Sequence, residues 1–327
     1  MGLSALLVSG AAAQESQSKP VGYETLTVSN GFNYLGLRLH EAPAASGTIT
    51  AIDADSITDD AADFSTLTGT YILEIDNGSG IIQEVVSFNN ATEIPTADLT
   101  AEVAVDDAYT LRPVATLESI FGAANESGLD AGFAGPNGAD QVWVSNGTGF
   151  DKYYYDEFNA VAAGPAWTNV DGGAQVTPGD IPIVYTDGVV ILGAGVDNNT
   201  FVVTGSVKLT NTAYALVDGF NYLSSITPAG STLGSLFGAA NEAGLDAGFA
   251  GPNGADQVWV PGAGTFGKYY YDDFNAAAAG PAWTNVDGGA SVDPATVSFD
   301  DASGMLILNA GGPGGVTASV PAFYATL

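Results

Sequence analysis

A segment of 59 residues occurs twice in this chain. Residues 116–174 are repeated as residues 232–290, 116 positions later, and 48 of the 59 positions are identical. A near-identical segment has to fold twice into the same unit, so we expect two copies of one module. A catalytic site is usually built once, whereas a structural module can be duplicated without loss of purpose. The repeat therefore favours an assembly or binding protein over an enzyme.

The similarity of the two halves extends upstream of the repeat and defines the predicted domains. Residues 30–36 resemble residues 218–224, but roughly 80 residues separate the first strand from its repeat and only seven separate the second. The simplest explanation is an insertion in the first half. We expect a first β module at 20–209, an inserted small β domain at 45–112, and a second β module at 210–327.

Local patterns indicate short strands joined by tight turns. Residues 71–75 and 81–86 flank Asp-Asn-Gly-Ser-Gly, a strong hairpin turn. Thr116 and Thr232 are suitable N-caps for single helical turns, and a hairpin is predicted at 140–156. Few segments have helical periodicity. We therefore predict an all-β protein, with tandem β-sandwich-like modules and a small β-barrel insertion of about five strands in the first.

The charge of the chain limits its partners. Lys and Arg total 6 against 37 Asp and Glu, giving a net charge of −31, so the acidity comes from missing bases. Phosphate binding needs Lys and Arg, which argues against a nucleic-acid partner. Anionic membrane surfaces are disfavoured for the same reason, and no segment is long and apolar enough to insert into a membrane. The chain has no cysteine, which excludes disulfides and thiolate metal sites.

The beginning of the sequence is typical of an export signal. Residues 1–13 form an apolar stretch that ends in three alanines, and a polar linker follows at 15–20. The stretch lacks the usual basic start, and an apolar N-terminal strand is the alternative. We favour a cleaved signal, which predicts a secreted, extracellular or cell-surface protein.

Several segments together resemble a known family. They are residues 21–28, 35–40, 109–113 running into 116–121, 139–144, 153–155 and 204–208. The chain resembles a family of uncharacterised exported β-rich proteins known from Verrucomicrobia, from which it departs in its internal copying and its scarcity of basic residues. The resemblance covers most of the chain after the predicted signal. It implies export and a β-rich fold and assigns no activity.

Few residues of this chain are suited to catalysis. His40 is its one histidine, so a Cys/His dyad and a zinc site with several histidines are excluded within one chain. The GxSxG pattern of a nucleophile elbow does not occur. A pair among the 37 carboxylates could run hydrolysis, but with so many acids the signal has almost no specificity. We expect no enzymatic activity, with a hydrolase as the third hypothesis.

Binding of Ca²⁺ explains the surplus carboxylates better than hydrolysis does, because Ca²⁺ prefers six to eight oxygen ligands, often from loops. Acidic and amide side chains recur at equivalent positions of both copies, although such residues also simply form turns. The candidate Ca²⁺ ligands are Asp130, Asn137, Asp140, Asp171, Asp246, Asn253, Asp256 and Asp287.

Aromatic side chains on the repeated hairpins form a second candidate site. They could provide a platform on which sugar rings stack, or they could be core and cross-strand packing. The candidate ligand-binding residues are Trp143, Tyr154, Trp167, Trp259, Tyr270 and Trp283.

These observations lead to one functional hypothesis and one alternative. The hypothesis is an exported, non-enzymatic structural protein that self-associates into a filament, surface layer or matrix. Residues 316–324 are a candidate edge strand for pairing with the next subunit. The alternative is a carbohydrate-binding or adhesion protein that uses the duplicated aromatic hairpins.

Overall fold

The structure, a computed structural model, describes residues 21–162, 166–195, 199–262, 265–278, 282–299, 304–312 and 314–326, with side chains up to 324. Strands make up 42% and helices 10%, which confirms the all-β class. None of the described helices is long and apolar enough to cross a membrane. The predicted export signal at 1–13 lies outside the described residues.

The first module begins with two strands, β1 (Val21–Val28) and β2 (Gly31–Gly36), and is then interrupted by the insertion. The insertion contains seven strands: β3 (Ala45–Thr48), β4 (Ala51–Asp53), β5 (Ser56–Thr58), β6 (Tyr71–Asp76), β7 (Ile82–Val85), β8 (Glu93–Pro95) and β9 (Ala108–Pro113). They form an antiparallel sheet in the order β3-β9-β6-β7 and a second in the order β4-β5-β8. Both orders are open, so the insertion has two open sheets where we predicted one five-stranded barrel.

The first module then resumes through the first copy of the repeat. Its further elements are β10 (Ala115–Thr116), α1 (Leu117–Phe121), β11 (Gln141–Ser145), β12 (Phe150–Tyr155), α2 (Glu157–Val161), β13 (Trp167–Asn169), β14 (Pro182–Ile183), β15 (Gly188–Gly193) and β16 (Asn199–Ser206). Thr116 caps α1 as predicted, in a capping box with Ser119.

The second module has the same order of elements without the insertion and without counterparts of the short strands β10 and β14. They are β17 (Thr212–Leu216), β18 (Gly219–Ser224), α3 (Leu233–Phe237), β19 (Gln257–Pro261), β20 (Phe266–Tyr271), α4 (Asp273–Ala277), β21 (Trp283–Asn285), β22 (Gly304–Asn309) and β23 (Gly314–Ala318). Short 3₁₀ turns lie at Pro178–Asp180, Pro294–Thr296 and Ala322–Thr326.

Each module has one five-stranded antiparallel sheet and one long two-stranded ribbon, and the first module has a further short pair, β10-β14. The sheets run β13-β12-β11-β15-β2 and β21-β20-β19-β22-β18, and the ribbons are β1-β16 and β17-β23. One hydrophobic core contains side chains of both modules, whereas the insertion has a core of its own. The sandwich form of each module stays a prediction.

The two five-stranded sheets meet through reciprocal contacts. Tyr34 of β2 stacks on Tyr222 of β18, with ring centroids 6.2 Å apart and planes 10° apart. Tyr34 also contacts Phe266 of the second module at 5.0 Å, and Tyr222 contacts Phe150 of the first at 4.9 Å. The contact of Tyr34 with Phe266 and that of Tyr222 with Phe150 join equivalent residues in opposite directions. The modules are therefore related by an approximate twofold axis.

The predicted edge strand at 316–324 is wrong in its extent. The strand β23 ends at Ala318, and its residues Gly314 to Ala318 pair with β17. Pro321 has no N–H to donate to a ladder, and the chain continues as a 3₁₀ turn from Ala322. This segment therefore presents a strand about half as long as predicted.

Candidate functional site

A buried carboxylate organises a loop at the same place in each module. Asp156 follows β12 and caps α2, and its Oδ1 accepts hydrogen bonds from the N–H groups of Phe158 and Ala134, both at 2.9 Å. Its Oδ2 accepts from the hydroxyl of Tyr154 at 3.0 Å. One side chain thus fixes a helix end and a loop 22 residues upstream.

Asp272 repeats this arrangement in the second module. Its carboxylate accepts from the N–H groups of Phe274 and Ala250 at 2.9 and 3.0 Å and from the Tyr270 hydroxyl at 3.0 Å. Burial raises the pKa of Asp272, but these hydrogen bonds outweigh burial and hold that pKa below its ordinary value. The carboxylate therefore stays ionised and keeps accepting at neutral pH.

The loop tied down by Asp156 is closely packed against its own hairpin. The N–H of Gly132 donates to the carbonyl of Tyr155 at 2.8 Å, and the N–H of Glu157 donates to the carbonyl of Gly132 at 2.9 Å. A Cβ at Gly132 would overlap the carbonyl oxygen of Gly135 and lie 3.0 Å from the ring of Tyr154. Only glycine fits there, so the loop has a defined position on the protein.

This anchored loop and the short helix that the same aspartate caps present an exposed pair of phenylalanines in each module. Phe133 is 69% exposed and Phe158 is 52% exposed, with ring centroids 5.6 Å apart. Their counterparts Phe249 and Phe274 are 74% and 52% exposed, 5.7 Å apart. We call them the first and second Phe pairs. Large apolar side chains that a fixed loop and helix keep exposed to solvent are characteristic of contact surfaces.

The Phe pairs are not among the candidate site residues predicted from the sequence. All four residues lie at identical positions of the two copies, but Phe133 stands in a loop rich in Gly and Ala, where periodicity gives no indication of exposure. The one available signal is a large apolar residue in a segment otherwise typical of a turn.

Four of the six predicted sugar-stacking residues are buried, and this part of the prediction is wrong. Trp167, Trp283, Tyr154 and Tyr270 are at most 3% exposed. The indole N–H of Trp167 donates to the carbonyl of Gly122 at 2.9 Å, and that of Trp283 donates to Gly238 at the same distance. Rings enclosed in this way pack the core and have no free face for a sugar.

The other two predicted residues, Trp143 and Trp259, are half-buried on the outer face of their sheets. Lys152 Nζ lies 5.0 Å from the centroid of the Trp143 ring, and Lys268 Nζ lies 4.8 Å from that of Trp259. These are cation–π contacts. Each lysine therefore covers part of the ring face that a sugar would use.

The two tryptophans belong to a longer set of touching rings, which we call the aromatic row. Neighbouring centroids along the row are 4.9–6.2 Å apart. The row runs across both modules in the order Phe32, Trp143, Phe150, Tyr222, Tyr34, Phe266, Trp259, Phe220. Its two end residues are exposed and the other six rings are half-buried.

Two of the predicted calcium ligands, Asp140 and Asp256, are buried and already have partners. Asp140 accepts from the N–H groups of Asp130 and Ala194 at 3.0 and 2.9 Å and from the Asn199 amide at 2.9 Å. Asp256 accepts from the N–H groups of Asp246 and Ala310, both at 2.9 Å. These carboxylates fix backbone turns.

The remaining predicted ligands do not form a cluster with them. Asp171 lies 3.5 Å from Lys152 and Asp287 lies 3.4 Å from Lys268, so both are ion-paired on the surface. Asn137 and Asn253 are exposed loop residues. Within the described residues, no three acidic or histidine side chains come together to hold a metal. The expectation of bound Ca²⁺ stays a prediction.

His40 lies in a buried polar junction between the modules and the insertion. Its Nε2 is 3.0 Å from the carbonyl of Ile226, and its ring packs against Tyr185. Burial lowers the pKa of His40 to about 3, helped by the neighbouring Arg112 guanidinium. Arg112 itself forms a buried ion pair with Glu74, 2.9 Å apart. A neutral, enclosed imidazole here joins parts of the fold.

No family model, curated protein sequence or solved structure matches this chain significantly. The resemblance to exported proteins of Verrucomicrobia therefore stays a prediction.

Proposed function

We propose that this chain is an exported, non-enzymatic structural subunit that self-associates through its two Phe pairs. The observation that carries the proposal is the duplication of a rigidly anchored, exposed apolar contact. Each pair is held by a buried aspartate. Phe133 and Phe249 project from loops with no charged residue at 131–139 or 247–255. Phe158 and Phe274 lie in α2 and α4, directly after Glu157 and Asp273. Burying exposed apolar side chains such as these away from water lowers the free energy of the system.

The number of contacts determines what kind of assembly they support. A single self-complementary patch on a subunit produces a closed dimer. Two equivalent patches on one chain allow each subunit to bind two others, so the product continues as a filament or layer. The approximate twofold axis relates the two patches within one chain, which gives them equivalent environments.

The net charge of −31 opposes this association. Like-charged subunits repel one another over about a Debye length, roughly 10 Å at 0.1 M ionic strength. Salt or divalent cations screen the repulsion, while the apolar contact itself does not weaken. We therefore propose that assembly strengthens as ionic strength rises, and that Ca²⁺ acts at least through this screening.

The proposed location outside the cell rests on the sequence alone. It is supported by the signal-like segment at 1–13 and by the scarcity of Lys and Arg, which leaves few trypsin-type cleavage sites in an exposed protein.

The proposal is tested by electron microscopy and light scattering of the protein from residue 14 onward. We expect ordered filaments or sheets that disappear when Phe133, Phe158, Phe249 and Phe274 are all replaced by Ser. The matched control replaces Val86 and Val202, exposed apolar residues elsewhere, by Ser and should leave assembly unchanged. Dispersed particles for the unsubstituted protein, or assembly that survives the fourfold change, would exclude this role for the Phe pairs.

Carbohydrate binding is the second candidate function, and the aromatic row supports it. With the four buried rings removed from the candidate set, it depends on Trp143 and Trp259 together with the exposed row ends Phe32 and Phe220. Retention of a glycan on an array, lost in the Trp143→Ala, Trp259→Ala double variant with its fold intact, would support it. No retention by the unsubstituted protein would count against it.

A further inference from the structure

A cleft of about 510 Å³ lies where the two modules meet. One wall is the tip of the β11–β12 hairpin with Ser145 and Phe150, and the other is the β17–β18 turn and strand with Asp218, Phe220 and Tyr222. Asp187, which precedes β15, completes the lining. Sites for small molecules occupy roughly 300–1,000 Å³, so the cleft is large enough for a small ligand.

The aromatic side chains of the cleft are held by their neighbours in the row. Phe150 meets Tyr222 edge to face at 4.9 Å, and Tyr222 is backed by the parallel ring of Tyr34. Phe220 packs against Trp259 at 4.9 Å, yet 45% of its surface is exposed. The rings are therefore held in position before any ligand binds, and their π faces are electron-rich.

The charged groups in this cleft are all negative. Asp187 and Asp218 are its carboxylates, and the described lining contains no Lys, Arg or His. Burial raises the pKa of Asp187 to about 6, although hydrogen bonds from Thr186 and Ser145 oppose this. At pH 7.5 Asp187 is therefore mostly ionised, and because it is partly buried its charge is only weakly screened by water.

Comparison of the two copies shows that the acids are specific to this cleft. The ring residues Phe150, Phe220 and Tyr222 have aromatic counterparts across the twofold axis, at Phe266, Phe32 and Tyr34. The two acids have no acidic counterparts. Ser303 occupies the sequence position equivalent to Asp187, and Asn30 occupies the one equivalent to Asp218. Six of the 11 differences between the repeats also fall at 145–151, the hairpin tip that lines the cleft.

We propose that this cleft binds a small organic cation carrying a quaternary ammonium group. Aromatic faces attract such a group through their quadrupoles, and the two carboxylates add a direct charge interaction. The net charge of −31 raises the concentration of cations near the protein and opposes anions. Cation binding here does not depend on self-association, because the cleft does not include the Phe pairs.

Choline and its neutral isostere 3,3-dimethylbutan-1-ol are matched probes, equal in shape and different in charge. Binding is measured by saturation-transfer NMR and calorimetry at pH 7.5. We expect choline to bind and the alcohol to bind at least about tenfold more weakly. Equal binding of the two would contradict the proposal, since it would identify a merely apolar cleft, and so would no binding of choline.

Variants locate the bound choline. Asp187→Asn with Asp218→Asn, and separately Phe220→Ala, should each weaken choline binding about tenfold. Phe32→Ala, the equivalent change across the twofold axis, should leave it unchanged. Choline binding that is insensitive to the Asp187 and Asp218 changes, or equally sensitive to Phe32→Ala, would overturn the proposal, because it would reflect diffuse attraction to an acidic surface.

Discussion

Single buried carboxylates determine the shape of the contact surface. Asp156 and Asp272 each satisfy two backbone N–H groups and one tyrosine hydroxyl. These hydrogen bonds were not predicted from the sequence, which indicated only that Asp156 and Asp272 end hairpin strands. The partner N–H of Ala134 lies 22 residues upstream, and a contact at that distance along the chain has no local signature.

Removing this carboxylate should destabilise the protein and release the loop. Asp156→Ala leaves the N–H groups of Ala134 and Phe158 and the Tyr154 hydroxyl without their acceptor, which costs about 1–3 kcal/mol for a buried donor. Urea unfolding should show the loss, and hydrogen exchange should show a faster Ala134 amide. The exposed residue Asp293 is a control: Asp293→Ala should change the Ala134 exchange rate little. An unchanged rate in Asp156→Ala would contradict the assigned role.

The buried histidine predicts a specific dependence of stability on pH. The folded pKa of His40 is about 3 and the unfolded pKa is about 6.5, so the unfolded chain binds the proton more tightly. The free energy of unfolding contributed by this group is full above pH 6.5 and falls, by about 1.4 kcal/mol per pH unit, as pH drops toward 3. His40→Gln should lose this slope relative to the unsubstituted protein. Identical slopes for the two proteins would show that His40 is not enclosed as described.

Tyr154 illustrates what strand periodicity does and does not determine. Alternation places Tyr154 on the opposite face of the strand from Tyr153 and Tyr155, and the pairing of β12 agrees. Alternation alone would expose Tyr154 on the outer face. The ring is nevertheless buried, because the loop with Gly132 packs over it. The sheet face on which Tyr154 lies was thus predictable from the sequence, whereas the burial of its ring depended on a loop from elsewhere in the chain.

Among the elements, the predictions succeeded where local chemistry is decisive. The hairpin of β6 and β7 and the capped helical turns α1 and α3 lie where turn and cap residues indicated them. The error at the chain's last strand has an equally local cause. Pro321 has no N–H to donate to a ladder, and this signal was present in the sequence but was outweighed by the apolar run around it.

The anchored loops provide a direct test of close packing. Gly132→Ala introduces a methyl group that overlaps the Gly135 carbonyl and presses on Tyr154, so we expect a loss of about 1–3 kcal/mol. Gly172→Ala is the matched control, because its Cβ would meet nothing within 4 Å. Urea denaturation of both variants makes the comparison. A Gly132→Ala protein as stable as Gly172→Ala would show that the loop has room to adjust.

The whole molecule combines a shared core with an excess of negative charge. Three of the five described basic residues, Arg38, Arg112 and Lys208, are buried, and the other two lie over tryptophans. Within the part of the chain that the structure describes, little positive charge remains at the surface to offset the acids. The sequence predicted this imbalance, but the twofold packing of the modules could not be predicted because it depends on contacts between distant residues such as Tyr34 and Tyr222.

Self-association should therefore strengthen as the ionic strength rises, which is an unusual dependence for charged proteins. Raising NaCl from about 0.01 M to about 1 M shortens the Debye length from roughly 30 Å to 3 Å, which removes repulsion between subunits. Light scattering should show larger assemblies at high salt. Assemblies that dissolve on adding salt would indicate that attractive ion pairs, and not apolar contacts, hold the subunits together.

Self-association through the Phe pairs is tested most directly by the stoichiometry of a chain with one Phe pair removed. Sedimentation velocity in high salt would compare the unsubstituted protein with Phe249→Ser, Phe274→Ser, which retains only the first pair, and with the fourfold variant. We expect extended polymers for the unsubstituted protein, dimers for the variant with one pair and monomers for the fourfold variant. Polymers that persist with one pair removed, or an unsubstituted protein that stays monomeric at every concentration, would contradict self-association through the Phe pairs.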